Sequence, residues 1–194
     1  MKVGLFGGTY NPIHTAHLII AEWIRDFLDL DSVFLMPTAH PPHKRDETGI
    51  IGIEHRIEMV RLAVESEPGL NVADFESDPE ATAYSIDTVK HFLHANPDAE
   101  GNLFFIIGED NFRALGSWKD PVGLSRLCTI VVARRSTGTA DLPPEGIEGA
   151  LIVDTPHIDI SASMVRERVR TSRSIRYLVP APVASYIEKH GLYK

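Results

Sequence analysis

The sequence predicts an α/β fold with a doubly wound, mainly parallel sheet of about five to six strands flanked by helices. Two observations predict it. Short apolar runs alternate with helical patterns along the 194 residues, and alternation of this kind is typical of doubly wound α/β proteins. The strand runs are also nearly continuously apolar, as expected when helices cover both faces of a parallel sheet. The length favours one domain, so we predict a single domain over 1–194, with 161–194 as a small helical C-terminal subregion.

The individual elements follow from local pattern. The predicted strands are residues 2–6, 32–36, 70–75, 103–107 and 129–133, with a sixth at 151–154. The predicted helices are residues 15–28, 53–65, 85–95 and 110–115, followed by 161–170 and 182–190. The second helix is amphipathic, because Ile57, Val60 and Val64 recur with charged residues between them. The segments 40–51 and 135–149 are rich in Pro, Gly and charge, and are predicted to be loops.

Composition and charge exclude several classes of function. The net charge is −8, so the surface as a whole would repel nucleic acid, and we predict no polymer partner. The sequence has no apolar run of about 18 residues for a membrane span and no signal-peptide core, so we predict a cytoplasmic protein. Cys128 is the only cysteine and lies in an apolar run, where we expect a buried thiol. A disulfide within the chain and a multi-cysteine zinc site are thereby excluded.

The first predicted strand leads into a glycine turn. Residues 7–17 read GGTYNPIHTAH, and an apolar helix follows. Gly7 and Gly8 let the backbone approach a bulky anion, and the helix offers free N–H groups and its positive dipole end. His14 and His17 are three residues apart, so both can point into the space above the strand end. We predict a phosphate-binding turn here, with the helix N-cap at Thr15.

Two other interpretations of this turn, a metal site and a dinucleotide site, fit its residues less well. The histidines could form a metal pair, but no acidic residue nearby completes a ligand set and the H-E-x-x-H motif is absent. We therefore predict no metal ligand from the protein. A dinucleotide site would need G-x-G-x-x-G, which Gly4, Gly7 and Gly8 do not form.

A second candidate anion site lies near the carboxyl end. Residues 160–168 read ISASMVRER. Ser161 can cap a helix whose first N–H groups face an anion, Ser163 supplies a hydroxyl, and Arg166 lies about one turn along with a forked cation suited to phosphate oxygens. The alternative is that Arg166 and its neighbouring arginines form only a solvated basic face. Two such helix starts in one chain favour the functional interpretation.

Together these segments resemble the T/H-x-G-H turn and the I-S-[ST]-T-x-x-R motif of the nucleotidylyltransferase superfamily. The chain departs from the first motif at Ala16, where the family has glycine, and from the second at Ala162 and Ser163. The resemblance implies a Rossmann-like nucleotidylyltransferase fold. It also implies catalysis by His14, His17 and Arg166, and ATP binding by Gly7, Gly8, Thr9, Tyr10, Ser161 and Ser163.

Four further features resemble the nicotinate-nucleotide adenylyltransferase family over essentially the whole chain. They are PPHK at 41–44, AYSIDT at 83–88, FIIGED at 105–110 with Trp118-Lys119 after it, and HGLY at 190–193. The chain departs from the family at Thr38, Ala83 and Ser85. The resemblance implies transfer of the adenylyl group of ATP to nicotinate mononucleotide, with release of pyrophosphate and with Mg²⁺ held mainly by the ATP phosphates.

The same resemblance implies how the mononucleotide is bound. Trp118 would stack on the pyridine ring, while Tyr84 and Ser85 would present the carboxylate site. Asp110 would touch the ribose or order the loop, and Lys44 and Arg134 would bind the phosphate. Ser85 begins a helix, whose N–H donors favour a carboxylate over an amide, and Trp118 is an aromatic platform. The plain alternatives are a core tryptophan, a helix cap and a solvated loop charge.

Several alternatives stay open from the sequence. The acceptor could be nicotinamide mononucleotide or phosphopantetheine, or the chain could be a non-catalytic nucleotide-binding module. The expected partners are ATP and nicotinate mononucleotide. The sequence does not fix the oligomeric state, and a homo-oligomer is among the alternatives.

Overall fold

A six-stranded parallel sheet forms the centre of the computed structural model, which describes residues 1–38, 49–74, 84–135, 147 and 149–194. Its strands are β1 Val3–Gly8, β2 Ser32–Pro37, β3 Leu70–Val72, β4 Leu103–Gly108, β5 Thr129–Arg134 and β6 Leu151–Asp154. The order is β3-β2-β1-β4-β5-β6, and every neighbouring pair is parallel. The predicted fold class, including the sixth strand, is confirmed. The third strand is shorter than predicted: it ends at Val72, and residue 75 lies outside the described residues.

Seven α-helices flank the sheet in the described part of the chain. They are α1 Thr15–Phe27, α2 Ile53–Val64, α3 Ser85–Ala95, α4 Glu109–Ala114, α5 Pro121–Leu127, α6 Ala162–Arg170 and α7 Ala181–Lys189. Helix α5 was not predicted from the sequence, because seven residues are too few to show a helical period. Its local signals are present, since Pro121 is the first helical residue and Asp120 accepts a hydrogen bond from the Gly123 N–H at 2.9 Å. None of the described helices is long and apolar enough to cross a lipid bilayer.

Each face of the sheet carries a layer of helices with its own apolar core. On one face, α1, α2 and α7 bury Ile24, Val60 and Val183 against strand residues such as Leu35. On the other face, α3 and α5 pack against residues such as Phe105. The cores follow from the alternation of side chains along each buried strand. The helices of 161–194 thus lie against one face of the sheet.

Cys128 lies in the second of these cores. Its thiol is buried and donates to the Leu124 carbonyl at 3.4 Å. Burial raises the pKa of Cys128 to about 12, so the group stays a thiol at neutral pH. The prediction of a buried thiol is confirmed.

The strand order reverses between β1 and β4, and this point positions the site. From β1 the chain proceeds to β2 and β3 on one side, whereas β4 continues to β5 and β6 on the other. Because the following helices diverge to opposite faces, such a switch point leaves a crevice outside the carboxyl ends of the two strands. β1 ends at Gly8 and β4 ends at Gly108, so both glycines lie at the mouth of this crevice.

The start of α1 differs by one residue from the prediction. Thr15 was predicted as the N-cap, but it is the first helical residue and His14 is the N-cap. The Thr15 hydroxyl does not turn back onto its own helix. It donates to the Tyr177 carbonyl at 2.9 Å, and it thereby ties the start of α1 to the segment between α6 and α7.

Candidate active site

A cavity of about 560 Å³ lies at the carboxyl edge of the sheet. It is bordered by the β1 turn, by the ends of β4 and β5 and by the beginnings of α1, α3 and α6. Most of the residues predicted from sequence line it: Gly7, Gly8, Thr9, Tyr10, His14, His17, Tyr84, Ser85, Asp110, Trp118, Ser161, Ser163 and Arg166. The structure therefore brings the two predicted anion sites and the predicted acceptor residues into one space.

Tyr10 organises the glycine turn. It is buried, its backbone is left-handed with a φ of 46°, and its hydroxyl donates to the Phe6 carbonyl at 2.7 Å. A Cβ on Gly8 would lie 2.9 Å from Cζ of Tyr10. Gly8 is therefore required by the packing of the turn itself, in addition to the close approach of a ligand inferred from the sequence. The Tyr10 ring also meets His17 edge-on, with centroids 4.9 Å apart.

His14 and His17 form a stacked pair at the start of α1. Their ring centroids are 3.7 Å apart and the rings are inclined by 21°. Burial, reinforced by the positive charge of Arg135, lowers the pKa of His14 to about 4. Burial, with His14 and Arg135 nearby, lowers the pKa of His17 well below its ordinary value. Both imidazoles are therefore neutral in the free protein at neutral pH.

A hydrogen bond fixes the tautomer of His17. The backbone N–H of His14 donates to Nδ1 of His17 at 3.2 Å, so a neutral His17 carries its proton on Nε2. His17 lines the cavity. It can therefore act as an N–H donor to an anion before it takes up any charge.

The histidine pair predicts how stability depends on pH. The folded-state pKa of His14, about 4, is below the ordinary histidine pKa of 6.5. The unfolded chain therefore binds this proton first, and stability is lost as the pH falls from about 6.5 towards about 4. Between about pH 7 and pH 5 we expect His14 alone to account for about 2 kcal/mol of lost unfolding free energy. Denaturant unfolding of the wild type and of His14→Gln at both pH values measures it, and an equal loss in both proteins would contradict this assignment.

The second motif meets the first through Arg166. Ser161 is the N-cap of α6, as predicted, and its Oγ accepts a hydrogen bond from the Met164 N–H at 3.2 Å. The Ser163 hydroxyl lies 3.0 Å from that of Ser161. Nη1 of Arg166 donates to the Asn11 carbonyl at 2.8 Å. This contact joins residues 155 positions apart and places the start of α6 beside the glycine turn.

Of the residues predicted to bind the acceptor, Trp118 and Tyr84 line the cavity and pack against the second core, away from the glycine turn, which packs against the first. Trp118 packs edge-on against Phe105, with centroids 6.3 Å apart, and Tyr84 is the N-cap of α3, directly before Ser85. Nζ of Lys119 lies 4.6 Å from the centroid of the Tyr84 ring and 2.7 Å from Oδ2 of Asp87. A cation, an aromatic ring and a helix start thus converge there.

One predicted residue cannot be placed relative to the cavity, and a second, described residue does not line it. Lys44 lies outside the described residues. Arg134 is described, but it forms an ion pair with Asp154 on the neighbouring strand instead of entering the cavity. The reason is the alternation of side chains at the end of β5, which gives Ala133 and Arg135 one direction and Arg134 the other. Arg135 lines the cavity in its place.

Two further arginines were not predicted from the sequence: Arg135, which lines the cavity, and Arg56, which holds the glycine turn from outside it. Arg135 was one residue away from the predicted arginine, and an alternation count along β5 could have found it. Arg56 is only 1% exposed, and its Nη1 donates to the carbonyls of Thr9 and Thr38 at 2.8 and 2.7 Å. No motif in the sequence marks it, since an arginine on an amphipathic helix is usually solvated.

The charge of the cavity differs from that of the whole protein. Lys119, Arg135 and Arg166 line it, and Asp110 is the one carboxylate among its described lining residues. Asp110 is itself paired with Arg113 at 3.1 Å. A chain with a net charge of −8 thus presents a locally basic cavity, which suits a polyanionic ligand.

Comparison with known proteins agrees with the fold and the motifs. The cytidylyltransferase-like family matches residues 5–168. A protein from Geotalea daltonii described as "Probable nicotinate-nucleotide adenylyltransferase" is 41% identical over 215 residues, which cover 100% of this chain and 98% of that protein. One from Dehalococcoides mccartyi with the same description is 40% identical over 200 residues, covering 100% and 97%.

A solved structure shows the same fold at much lower identity. Plasmodium falciparum nicotinic acid mononucleotide adenylyltransferase complexed with NaAD superposes with a TM-score of 0.76 and 17% identity, over 99% of this chain and 97% of that one. At this identity the likeness concerns the fold alone. The family match and the full-length relatives show more: the chain belongs to the nicotinate-nucleotide adenylyltransferases, within the cytidylyltransferase-like family.

Proposed function

We propose that this protein transfers the adenylyl group of ATP to nicotinate mononucleotide, forming the deamido dinucleotide and pyrophosphate in NAD biosynthesis. The observation that carries the proposal is the contact between Arg166 and the Asn11 carbonyl. It joins two anion-binding helix starts in a basic cavity whose other end holds Trp118 and the Tyr84-Ser85 helix start. The names of the full-length relatives agree with this assignment.

The two ends of the cavity suit the two substrates. The triphosphate would lie against the glycine turn and the start of α6, where His14, His17 and Arg166 provide donors. The mononucleotide would lie with its pyridine ring at Trp118 and its carboxylate at the start of α3. Its phosphate would then meet Arg135, to which we transfer the role predicted for Arg134, and Lys44, whose role stays a prediction.

The chemistry needs positioning and charge neutralisation. A phosphate oxygen of the mononucleotide attacks the α-phosphorus of ATP in line, the bond from that phosphorus to the bridging oxygen breaks, and pyrophosphate leaves with the electron pair. No protein nucleophile is required, because the attacking oxygen is already ionised. His14 and His17 would donate to the reacting phosphates, and Arg166 would neutralise charge on the β/γ end.

The metal in this scheme arrives with the nucleotide. Among the described residues no cluster of three or more His, Cys, Asp or Glu side chains could hold a metal ion. We propose Mg²⁺ bound mainly by ATP phosphates and water, the ligands it usually keeps at nucleotide sites. The ion would neutralise the leaving pyrophosphate. Asp110 is the lining carboxylate that could contact its water shell.

One assay tests the assignment. The protein is incubated with ATP and Mg²⁺ plus, in separate arms, nicotinate mononucleotide, nicotinamide mononucleotide or phosphopantetheine, and pyrophosphate is measured. We expect the highest kcat/KM with nicotinate mononucleotide. Release only with phosphopantetheine would reassign the acceptor, and tight ATP binding with no release in any arm would identify a non-catalytic nucleotide-binding module. The cytoplasmic location stays a prediction.

We expect Lys119 to contribute to the choice between nicotinate and nicotinamide mononucleotide as acceptor. Its ammonium group lies at the Tyr84 ring, where the pyridine carboxylate is proposed to bind, so it favours an acid over a neutral amide. The group is half exposed and shared with Asp87, which limits the effect. We expect Lys119→Met to lower the preference for nicotinate over nicotinamide mononucleotide by about threefold to fivefold. Lys90 is exposed on α3, and Lys90→Met is the control. An equal change of preference in both variants would show that Lys119 does not determine the choice of acceptor.

A further inference from the structure

The segment after α7 carries a motif to which the reaction scheme gives no role. Residues 190–193 read HGLY, and they follow the end of α7 at Lys189. Leu192 and Tyr193 both pack against the core cluster that contains Ile13 of the glycine turn. Tyr193 has a left-handed backbone, with a φ of 64°. A tyrosine is seldom found in this conformation unless the surrounding contacts hold it there.

Tyr193 binds a residue of the glycine turn. Its hydroxyl donates to Oδ1 of Asn11 at 3.0 Å, across 182 residues of sequence. Asn11 is only 3% exposed. Its Nδ2 donates to the Gly49 carbonyl at 3.0 Å, and its own carbonyl accepts from Arg166. Asn11 is thus the point at which the glycine turn, α6 and the segment after α7 meet.

The hydroxyl of Tyr193 is the principal described donor to this amide oxygen. The other described donor is the N–H of Ile51, at 3.4 Å, which is long for a hydrogen bond. Burial raises the pKa of Tyr193 well above its ordinary value, against the smaller opposing effect of Arg166 and Arg56. The group therefore stays protonated and able to donate. Its removal would leave a buried acceptor poorly satisfied.

We propose that Tyr193 is a positioning residue for adenylyl transfer, acting through Asn11 to hold the glycine turn against Arg166. The Asn11 side chain fixes the peptide whose carbonyl receives the Arg166 guanidinium. A shift of Asn11 would therefore displace Arg166 and the turn that leads to His14 relative to each other. Tyr193 itself makes no contact with the reacting atoms in this scheme. The inference rests on the proposed function for its kinetic readout.

The test compares two tyrosines of the same region, each replaced by phenylalanine in the full chain. Tyr193→Phe removes the bond to Asn11. Tyr186→Phe, on α7, removes the bond between its hydroxyl and Nδ1 of His55, which are 2.9 Å apart. Each variant loses one side-chain hydrogen bond, and we expect the larger loss of unfolding free energy in Tyr193→Phe, which leaves the buried Asn11 acceptor poorly satisfied. Activity is therefore measured at a temperature at which circular dichroism shows both variants to be folded. We expect kcat/KM for ATP to fall about fivefold to tenfold in Tyr193→Phe and to stay within about twofold of the wild type in Tyr186→Phe. Equal activity in the two variants would overturn the proposal.

A double-mutant cycle tests whether the effect passes through Asn11. If it does, Tyr193→Phe changes kcat/KM less than about twofold in an Asn11→Ala background. Full additivity would show that Tyr193 acts by another route and would overturn the proposal. The affinity for ATP, measured by calorimetry in the same proteins, separates this inference from the proposed function. A wild type that releases no pyrophosphate refutes the proposed function. Even then, weaker ATP binding by Tyr193→Phe but not by Tyr186→Phe would support the role of Tyr193.

Discussion

Replacing His17 by alanine is expected to lower kcat for pyrophosphate release by about 10²–10³-fold, the usual cost of removing one preorganised donor to a reacting phosphate or oxyanion. The neutral ring keeps its proton on Nε2 because Nδ1 accepts the N–H of His14. The donor is therefore oriented before the nucleotide binds. Alanine removes the donor and the acceptor for His14 together, while α1 keeps a good helix former at this position.

The control for His17→Ala is another histidine on a helix. His94 lies at the exposed end of α3, outside the residues that line the cavity. We expect His94→Ala to keep wild-type kcat and both variants to keep the far-ultraviolet circular dichroism of the folded protein. A folded His17→Ala with wild-type kcat would exclude this histidine from catalysis.

The sequence predicted the sheet well because buried parallel strands have a strong and simple pattern. Strands such as 129–133 are apolar at nearly every position, and each one appears in the structure. The helix α5 was missed because its seven residues are stabilised by a cap and by burial of Leu124 against the sheet, not by a periodic pattern of their own. Short elements depend on tertiary contacts that local sequence does not display.

The same distinction applies to the site. The glycine turn and the Ser161 cap are local motifs, and the structure places both on the cavity. Arg135 was missed in favour of Arg134, although the alternation of side chains along β5 gives Arg135 the same direction as Ala133, which lines the cavity. Arg56 and Tyr193, which hydrogen-bond to the glycine turn from outside the cavity lining, were missed for a different reason. Their partners Thr9 and Asn11 are distant in sequence, and only the closed fold brings them together.

Replacing Arg166 is the other substitution from which we expect a large loss of kcat. Its guanidinium links the two predicted anion-binding helix starts by donating to the Asn11 carbonyl, and it lines the cavity where the β- and γ-phosphates are proposed to lie. We expect Arg166→Ala to lower kcat by about 10²–10³-fold and to raise the KM for ATP. The KM should rise because the glycine turn loses a contact that positions it, as well as a cation for the phosphates.

One further variant separates the charge of Arg166 from its shape, and a second variant is its control. Arg166→Lys keeps the charge, but an ammonium cannot serve the Asn11 carbonyl and a phosphate with the fixed fork of a guanidinium, so we expect it to recover less than about tenfold of the lost rate. Arg168→Ala is the matched control on the same helix, since Nε of Arg168 donates to the Ser174 carbonyl at 2.7 Å, outside the cavity lining. Steady-state kinetics on Arg166→Ala, Arg166→Lys and Arg168→Ala measure these effects. Full activity in Arg166→Lys would show that only the positive charge of Arg166 is needed. Equal losses of kcat in Arg166→Ala and Arg168→Ala would show that both substitutions act by destabilising α6.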